Sequence, residues 1–299
     1  MSAEPAPAAD LRALRRGAES LAARLPGLLV EADRVAATVA QGVHGRRRTG
    51  TGETFWQFRA YQPGDDRTDI DWRQSARSRH LFIRQQEWEA AQSVWIWCDP
   101  SPSMRFRSDR RLPGKLDRAV LLGLALAALL VRGGERVALL GSGDRPRPGR
   151  PGLERLARGL EGALARAEPL PPPAELPRFA SIVLISDFLE PLEDLAARIA
   201  PWVGGGVRGC LVQIADPAEE LLPYAGRVLF EGLEGDGRAL VGNVAGARQR
   251  WAEIWRAHRE EVERLATRQG WRALRHRTDS PAEVALLALF QALAPGAMR

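Results

Sequence analysis

Residues 93–103 read Ser-Val-Trp-Ile-Trp-Cys-Asp-Pro-Ser-Pro-Ser. An unbroken apolar run of strand length, ended by an acid and two prolines, is what a strand buried on both faces requires. The pattern recurs as RVALLG at 136–141, SIVLISD at 181–187 and GCLVQIADP at 209–217. Between these runs lie helical stretches at 116–132, apolar nearly all round, at 153–167 and at 192–203. Strands alternating with helices of this length predict an α/β fold with a doubly wound, mostly parallel sheet.

Working outward, the Pro-rich EPLPPPAELP at 168–177 cannot be helix interior and reads as a connection. Beyond Asp216, apolar runs flank EGDG, and an Asp-Gly between such runs predicts a hairpin insertion at about 226–243. A helix at 247–269 with Trp251, Ile254, Trp255, His258, Val262 and Leu265 on one stripe comes next. WRALRH at 271–276 reads as a further strand, and 281–294 as a last helix, with Ser280 as N-cap and Glu283 at the third helical position.

Toward the N-terminus, residues 1–10 read as a tail. Leu11, Leu14, Ala18, Leu21 and Leu25 predict a helix that Pro26 breaks in two. Residues 42–92 differ in kind, being rich in Arg and Trp. TFWQFRAY (54–61) and HLFIRQQEW (80–88) predict short strands, with a turn at PGDD (63–66). The predicted organisation is therefore a tail and helical segment at 1–41, a small β-rich unit at 42–92, and the α/β domain at 93–299.

Composition narrows the function classes. The chain has 299 residues, 45% hydrophobic and 27% charged, which excludes wholesale disorder. Two cysteines, Cys98 and Cys210, both within apolar runs, exclude a disulfide scaffold, and no CxxC pattern points to zinc. The longest apolar stretch, Ala119–Val131, is 13 residues, short of a bilayer span. With an acidic, Pro-rich N-terminal sequence and no leader pattern, the expected location is cytoplasmic. Of the 43 basic residues only Lys115 is lysine, and the formal net charge is +6.

That arginine surplus raises a nucleic-acid reading, centred on Arg46–Arg48, Arg59, Arg67, Arg73, Arg77, Arg79 and Arg84 beside Trp56, Trp72 and His80. The same span holds Glu53, Asp65, Asp66, Asp69 and Asp71. Arg–carboxylate pairing in a small folded unit accounts for the mixture, so nucleic-acid binding through 42–92 is the lesser alternative.

In open parallel sheets ligands sit beyond the carboxyl ends of the strands. Those ends deliver Asp99, Asp187 and Asp216 directly, and Asp144 after Ser142-Gly143. Asp144 and Asp216 are expected to be structural, Asp216 at a turn before Pro217. The first loop is D-x-S-x-S: Asp99, Ser101 and Ser103 place a carboxylate and two hydroxyls on alternate residues, a donor set suited to a hard cation such as Mg²⁺. Asp187 supplies a second carboxylate, through water. An incomplete shell of this kind leaves a coordination place for a partner's carboxylate.

D-x-S-x-S after a first strand, with an Asp after a later VLIS strand, resembles the metal-ion-dependent adhesion site of von Willebrand factor A domains. The segment GETFWQFRAYQPGDDRTDIDWRQSARSRHLFIRQQEWE before it is similar to the bacterial domain-of-unknown-function family 58. That family's signature is matched by Tyr61, Gly64, Asp65, Asp66, Asp71, Trp72, Arg73, Ala76 and Arg77. ADPAEELLPYAGRVLFEGLEGDGR and TDSPAEVALLALF fit it too, so the likeness runs from about Gly42 to Leu293. It implies a von Willebrand factor A-like fold and a non-enzymatic protein-binding adaptor. The implied partners are a MoxR-type AAA+ ATPase and a client protein in assembly or maturation. The implied metal is Mg²⁺ on Asp99, Ser101, Ser103 and Asp187. Two departures stand out. Adhesion sites carry a Thr on a second loop, and no Ser or Thr lies between Ser142 and Ser181; Asp187 is followed by Phe188 where many such domains have Gly.

An enzyme is the other alternative, as a metal-dependent phosphohydrolase. Against it, the first strand ends in D-x-S and not D-x-D. No G-x-S-x-G surrounds either serine, no Walker motif occurs, and no His is expected near the site to serve as a general base.

Overall fold

The computed structural model describes residues 55–60, 72–76, 81–86, 92–164, 168–235 and 237–293. The expected tail and helix at 1–41, the PGDD turn and Arg46–Arg48 lie outside them. So do Tyr61, Asp65, Asp66, Asp69, Asp71, Arg67, Arg77, Arg79 and His80. The chain divides into two compact units, Gly42–Ala91 and the remainder. In the smaller one, β1 (Phe55–Ala60) and β2 (Phe82–Gln86) pair antiparallel, and a single helical turn, α1 (Trp72–Ser75), lies between them in sequence. Buried Ser75 ties this turn to β2 by accepting the Phe82 N–H at 2.9 Å.

The larger unit is built on a six-stranded sheet in the order β10-β7-β6-β3-β4-β5. Its strands are β3 (Ser93–Cys98), β4 (Arg136–Leu139), β5 (Arg147–Pro148), β6 (Ser181–Ser186), β7 (Arg208–Ala215) and β10 (Arg272–Arg277). All pairings are parallel except β4 with β5, a two-residue edge strand where Pro148 is tolerated because the edge has no partner beyond it. The expected mostly parallel α/β sheet is therefore observed, with one antiparallel edge that the sequence reading did not include.

Helices cover both faces. Alternation along β3 sends Ile96 and Cys98 one way and Trp95 and Trp97 the other. On the first face, α2 (Lys115–Arg132) comes so close that a methyl group on Gly123 would lie 3.1 Å from Cys98 Sγ and 3.3 Å from Ile96 Cγ2. The neighbours α3 (Gly149–Leu164) and α7 (Ala282–Leu293) pack on α2. On the second face, Trp95, Trp97, Ile182 and Leu184 form one core with Leu195, Ile199 and Trp202 of α4 (Leu192–Gly204) and Val262 and Ala266 of α6 (Val244–Arg268). Trp271, just before β10, joins this core, and the missing side chain of Gly209 on β7 makes room for its ring. Helix α3 begins four residues earlier than expected, and α6 three.

After β7, the short α5 (Pro217–Leu221) leads to a hairpin, β8 (Val228–Glu231) and β9 (Arg238–Val241), which forms a two-stranded sheet of its own. Among the described residues no helix is long and apolar enough to cross a membrane.

Topology selects one place on this scaffold. From β3 the chain moves outward to β4 and β5, then returns to lay β6 on the other side of β3 before continuing to β7 and β10. The strand order reverses between β3 and β6, and a crevice opens at their carboxyl ends, where Asp99 and Asp187 stand.

Candidate functional site

Asp99 leaves β3 with its backbone N–H donated to Ile185 O of β6, at 2.9 Å, so the two strand ends are locked side by side. Its side chain is 2% exposed. Oδ1 accepts the Ser101 N–H at 2.8 Å and Oδ2 accepts the Ser186 hydroxyl at 2.5 Å. Pro100 and Pro102 restrict the loop, and Ser103 opens a single 3₁₀ turn to Arg105. That turn points the Ser103 hydroxyl at Asp187, to which it donates at 2.7 Å. Ser101 Oγ lies 3.1 Å from Ser103 Oγ. Since Ser103 gives its only hydroxyl proton to Asp187, Ser101 is the donor in this contact.

Asp187 is equally buried. Its backbone carbonyl accepts from Gln213 Nε2 at 3.1 Å, which ties β6 to β7 at the site. The residue after it, Phe188, has φ 55°, a left-handed conformation that costs a non-glycine residue about 1 kcal/mol or more. Two contacts offset this. The Phe188 ring is buried in the core beneath α4, and its N–H is held by Ser186 Oγ at 2.9 Å. Packing on the second face and this hydrogen bond thus compensate the strain at Phe188.

The four residues singled out in the sequence, Asp99, Ser101, Ser103 and Asp187, are therefore brought together. Asp144 and Asp216 are not part of the cluster. Asp144 pairs with Arg155 at 2.9 Å, and Asp216 caps α5 through the Ala218 N–H at 2.8 Å while also accepting the Ser108 N–H at 3.0 Å.

Sequence reasoning missed the cation. Lys115, the only lysine of the chain, opens α2 and is fully buried. Its ammonium donates to Asp187 Oδ2 at 2.8 Å and to Glu219 Oε1 of α5, and it lies 5.9 Å from the centre of the Phe106 ring. Burial works against the charge, but Asp187 and Glu219 outweigh it and hold the Lys115 pKa above the ordinary lysine value. Burial raises the Glu219 carboxyl, and Lys115 pulls it only part of the way back. A lone lysine kept among 42 arginines was the available signal. Its compact ammonium carries three donors, two of which go to Asp187 and Glu219.

Asp99 has no such help. Its donors are neutral, so burial and the nearby Asp187 charge push its carboxyl up to about 7, against the pull of its Ser186 and Ser101 hydrogen bonds. The expectation that no histidine stands near also needs correcting. From α6, His258 reaches the backbone of Asp187 and Phe188, where burial holds its pKa below the usual histidine range. Cys98 and Cys210 are buried thiols pushed up to about 12, inert at neutral pH.

Among the described residues no group of three or more His, Cys, Asp or Glu side chains is arranged to hold a metal. A site here has to use hydroxyl oxygens. The Ser101–Ser103 separation of 3.1 Å is that of the hydrogen bond between the two hydroxyls. Three carboxyl groups, Asp99, Asp187 and Glu219, stand here against one ammonium, a surplus of acid compatible with a divalent cation.

The fold and site define an α/β protein with a carboxylate–hydroxyl cluster at the switch point of a mainly parallel sheet. The family model described as "Protein of unknown function DUF58" matches residues 57–261, and the chain belongs to that family. Uncharacterized proteins of Mycobacterium bovis and Mycobacterium tuberculosis are 29% identical over 258 residues, covering 81% of this chain and 80% of theirs. Among solved structures, the conserved hypothetical protein BatB of Bacteroides thetaiotaomicron gives a TM-score of 0.35 at 16% identity, covering 67% of this chain and 98% of that one. An aerotolerance-related membrane protein of Bacteroides fragilis gives the same TM-score and identity over 68% and 98%.

Proposed function

We propose that this chain is a cytoplasmic, non-enzymatic protein-binding adaptor. Its contact point is an adhesion-type cation site on a von Willebrand factor A-like domain, with Asp99, Ser101 and Ser103 holding Mg²⁺ and Asp187 supporting it through water. The observation that carries the reading is the way the cluster's protons and charges are distributed. Ser103 gives its proton to Asp187 and so turns lone-pair density toward Ser101. Lys115 takes up the charge of Asp187 and Glu219, and Asp99 is left buried on neutral donors alone. A bound Mg²⁺ supplies an exchangeable coordination place for a carboxylate oxygen. Lys115 and Gln213 hold Asp187 in position beside the site.

The family resemblance supports a MoxR-type AAA+ ATPase as the partner, with the adaptor directing it to a client protein. The test is a pulldown from native lysate in Mg²⁺, wild type beside Asp99→Ala, with the captured ATPase identified by mass spectrometry. Capture by wild type alone supports the reading; equal capture by both, or capture unaffected by chelator, removes the cation site from it.

A further inference from the structure

The mouth of this site is already taken by a residue from far along the chain. The Ser103 N–H donates to Glu234 Oε1 at 2.7 Å, across 131 residues of sequence. Glu234 sits at the tip of the β8–β9 hairpin, next to Leu233. Carrying a fourth carboxylate to a cluster that holds Asp99, Asp187 and Glu219 against one ammonium is electrostatically unfavourable by itself. It is a placement that the hairpin imposes, eased by Arg105, whose charge faces Glu234.

The hairpin touches the rest of its unit through Phe230, whose ring meets Tyr224 edge-on at 5.8 Å. It forms no ladder with the six-stranded sheet, and an isolated two-stranded ribbon is marginally stable. Leu229, Leu233 and Leu240 are about half exposed on it. Its tip turns on Gly235 and Gly237, with φ of 83° and 103°. Under it runs a groove of about 920 Å³, which extends from Ser101, Ser103 and Asp187 to an apolar end at Phe230 and Trp251.

We infer that Glu234 is an internal ligand of the site: the hairpin lays its carboxylate on the Ser103 amide, at the mouth a partner's acidic side chain has to enter, and it has to leave before a partner binds. The inference rests on the adhesion-site reading and adds its regulation. It also gives the partner's chemistry, a carboxylate beside an apolar residue, as in Leu233–Glu234 itself.

The test uses the ¹⁵N-labelled full chain, wild type and Glu234→Ala, and a blocked hexapeptide copying Gly232–Gly237 as the probe. Glu234 is exposed, so the substitution leaves the fold intact. The Ser103 amide resonance is expected to move on Glu234→Ala and to move back as peptide is added. The variant is expected to bind the peptide at least about tenfold more tightly than wild type, because the competent state is no longer masked. Equal peptide affinity in the two proteins, or a Ser103 amide indifferent to Glu234→Ala, overturns the inference. Running both proteins in Mg²⁺ and in chelator separates the two claims. Unmasking without any Mg²⁺ effect keeps the internal ligand and removes the cation; Mg²⁺ binding with no unmasking does the reverse.

Discussion

Replacing Asp99 by Asn tests whether the site is held at the expense of stability. Asp99 is 2% exposed and its carboxyl is raised to about 7 from an ordinary 3.8. A carboxyl whose folded pKa is raised binds its proton more tightly in the native state. Its contribution is therefore complete below the unfolded value and is lost as pH climbs through the folded one. About three pKa units at ~1.4 kcal/mol each give about 4 kcal/mol lost by pH 8 without metal. Asparagine is neutral throughout. Its Oδ1 can still accept from Ser101 N–H, and its amide can donate to Ser186 Oγ, whose hydroxyl rotates to suit. Allowing about 1 kcal/mol for imperfect amide geometry, Asp99→Asn is expected to stabilise the metal-free protein by about 2–3 kcal/mol at pH 8. That corresponds to roughly 5–10 °C in Tm for a domain of this size. The gap is expected to shrink to less than half at pH 5. Urea and thermal unfolding in chelator at the two pH values measure it. A variant less stable than wild type at pH 8, or a gap independent of pH, refutes the reasoning.

Lys115→Met leaves Asp187 and Glu219 buried without their cation and is expected to cost about 3–5 kcal/mol in urea unfolding; a loss below about 1 kcal/mol contradicts the charge distribution drawn here. His276, whose Nε2 accepts from Arg118, has its pKa lowered to about 4 by burial and by the Arg118 charge. A histidine with a depressed folded pKa stabilises above about pH 6.5 and loses that as pH falls toward 4. About 2–3 kcal/mol should go over that window and be absent from His276→Gln, as read from unfolding at stepped pH. Gly209→Ala would put a methyl carbon 2.0 Å from Trp271 Cδ2. A loss of about 3 kcal/mol is expected, and relief of that loss in Gly209→Ala with Trp271→Leu would confirm the clash as its cause.

What the sequence made legible follows from how local each signal is. The β3 run SVWIWCD and the β6 run SIVLISD identify themselves because a strand buried on both faces has to be apolar throughout. The loop residues after them are set by those strand ends. Lys115 and Glu219 were not legible as site residues. They belong to α2 and α5, and only the packing of those helices over the sheet end brings their charges to Asp187. Glu234 was visible as a turn residue in EGDG, but turn chemistry says nothing about where a tip lands 131 residues from Ser103. His258 was read as part of a helix stripe, and the approach of α6 to Phe188 gives it a second neighbourhood.

The central claim is that Asp99, Ser101 and Ser103 hold a divalent cation. Titration calorimetry of the chelator-treated full chain with Mg²⁺ tests it most directly, beside a Ser101→Ala and Ser103→Ala double variant. One binding event at roughly millimolar concentration, with a matching thermal stabilisation and neither effect in the double variant, is the expected result. No heat and no stabilisation in wild type, or the same response from both proteins, contradicts it.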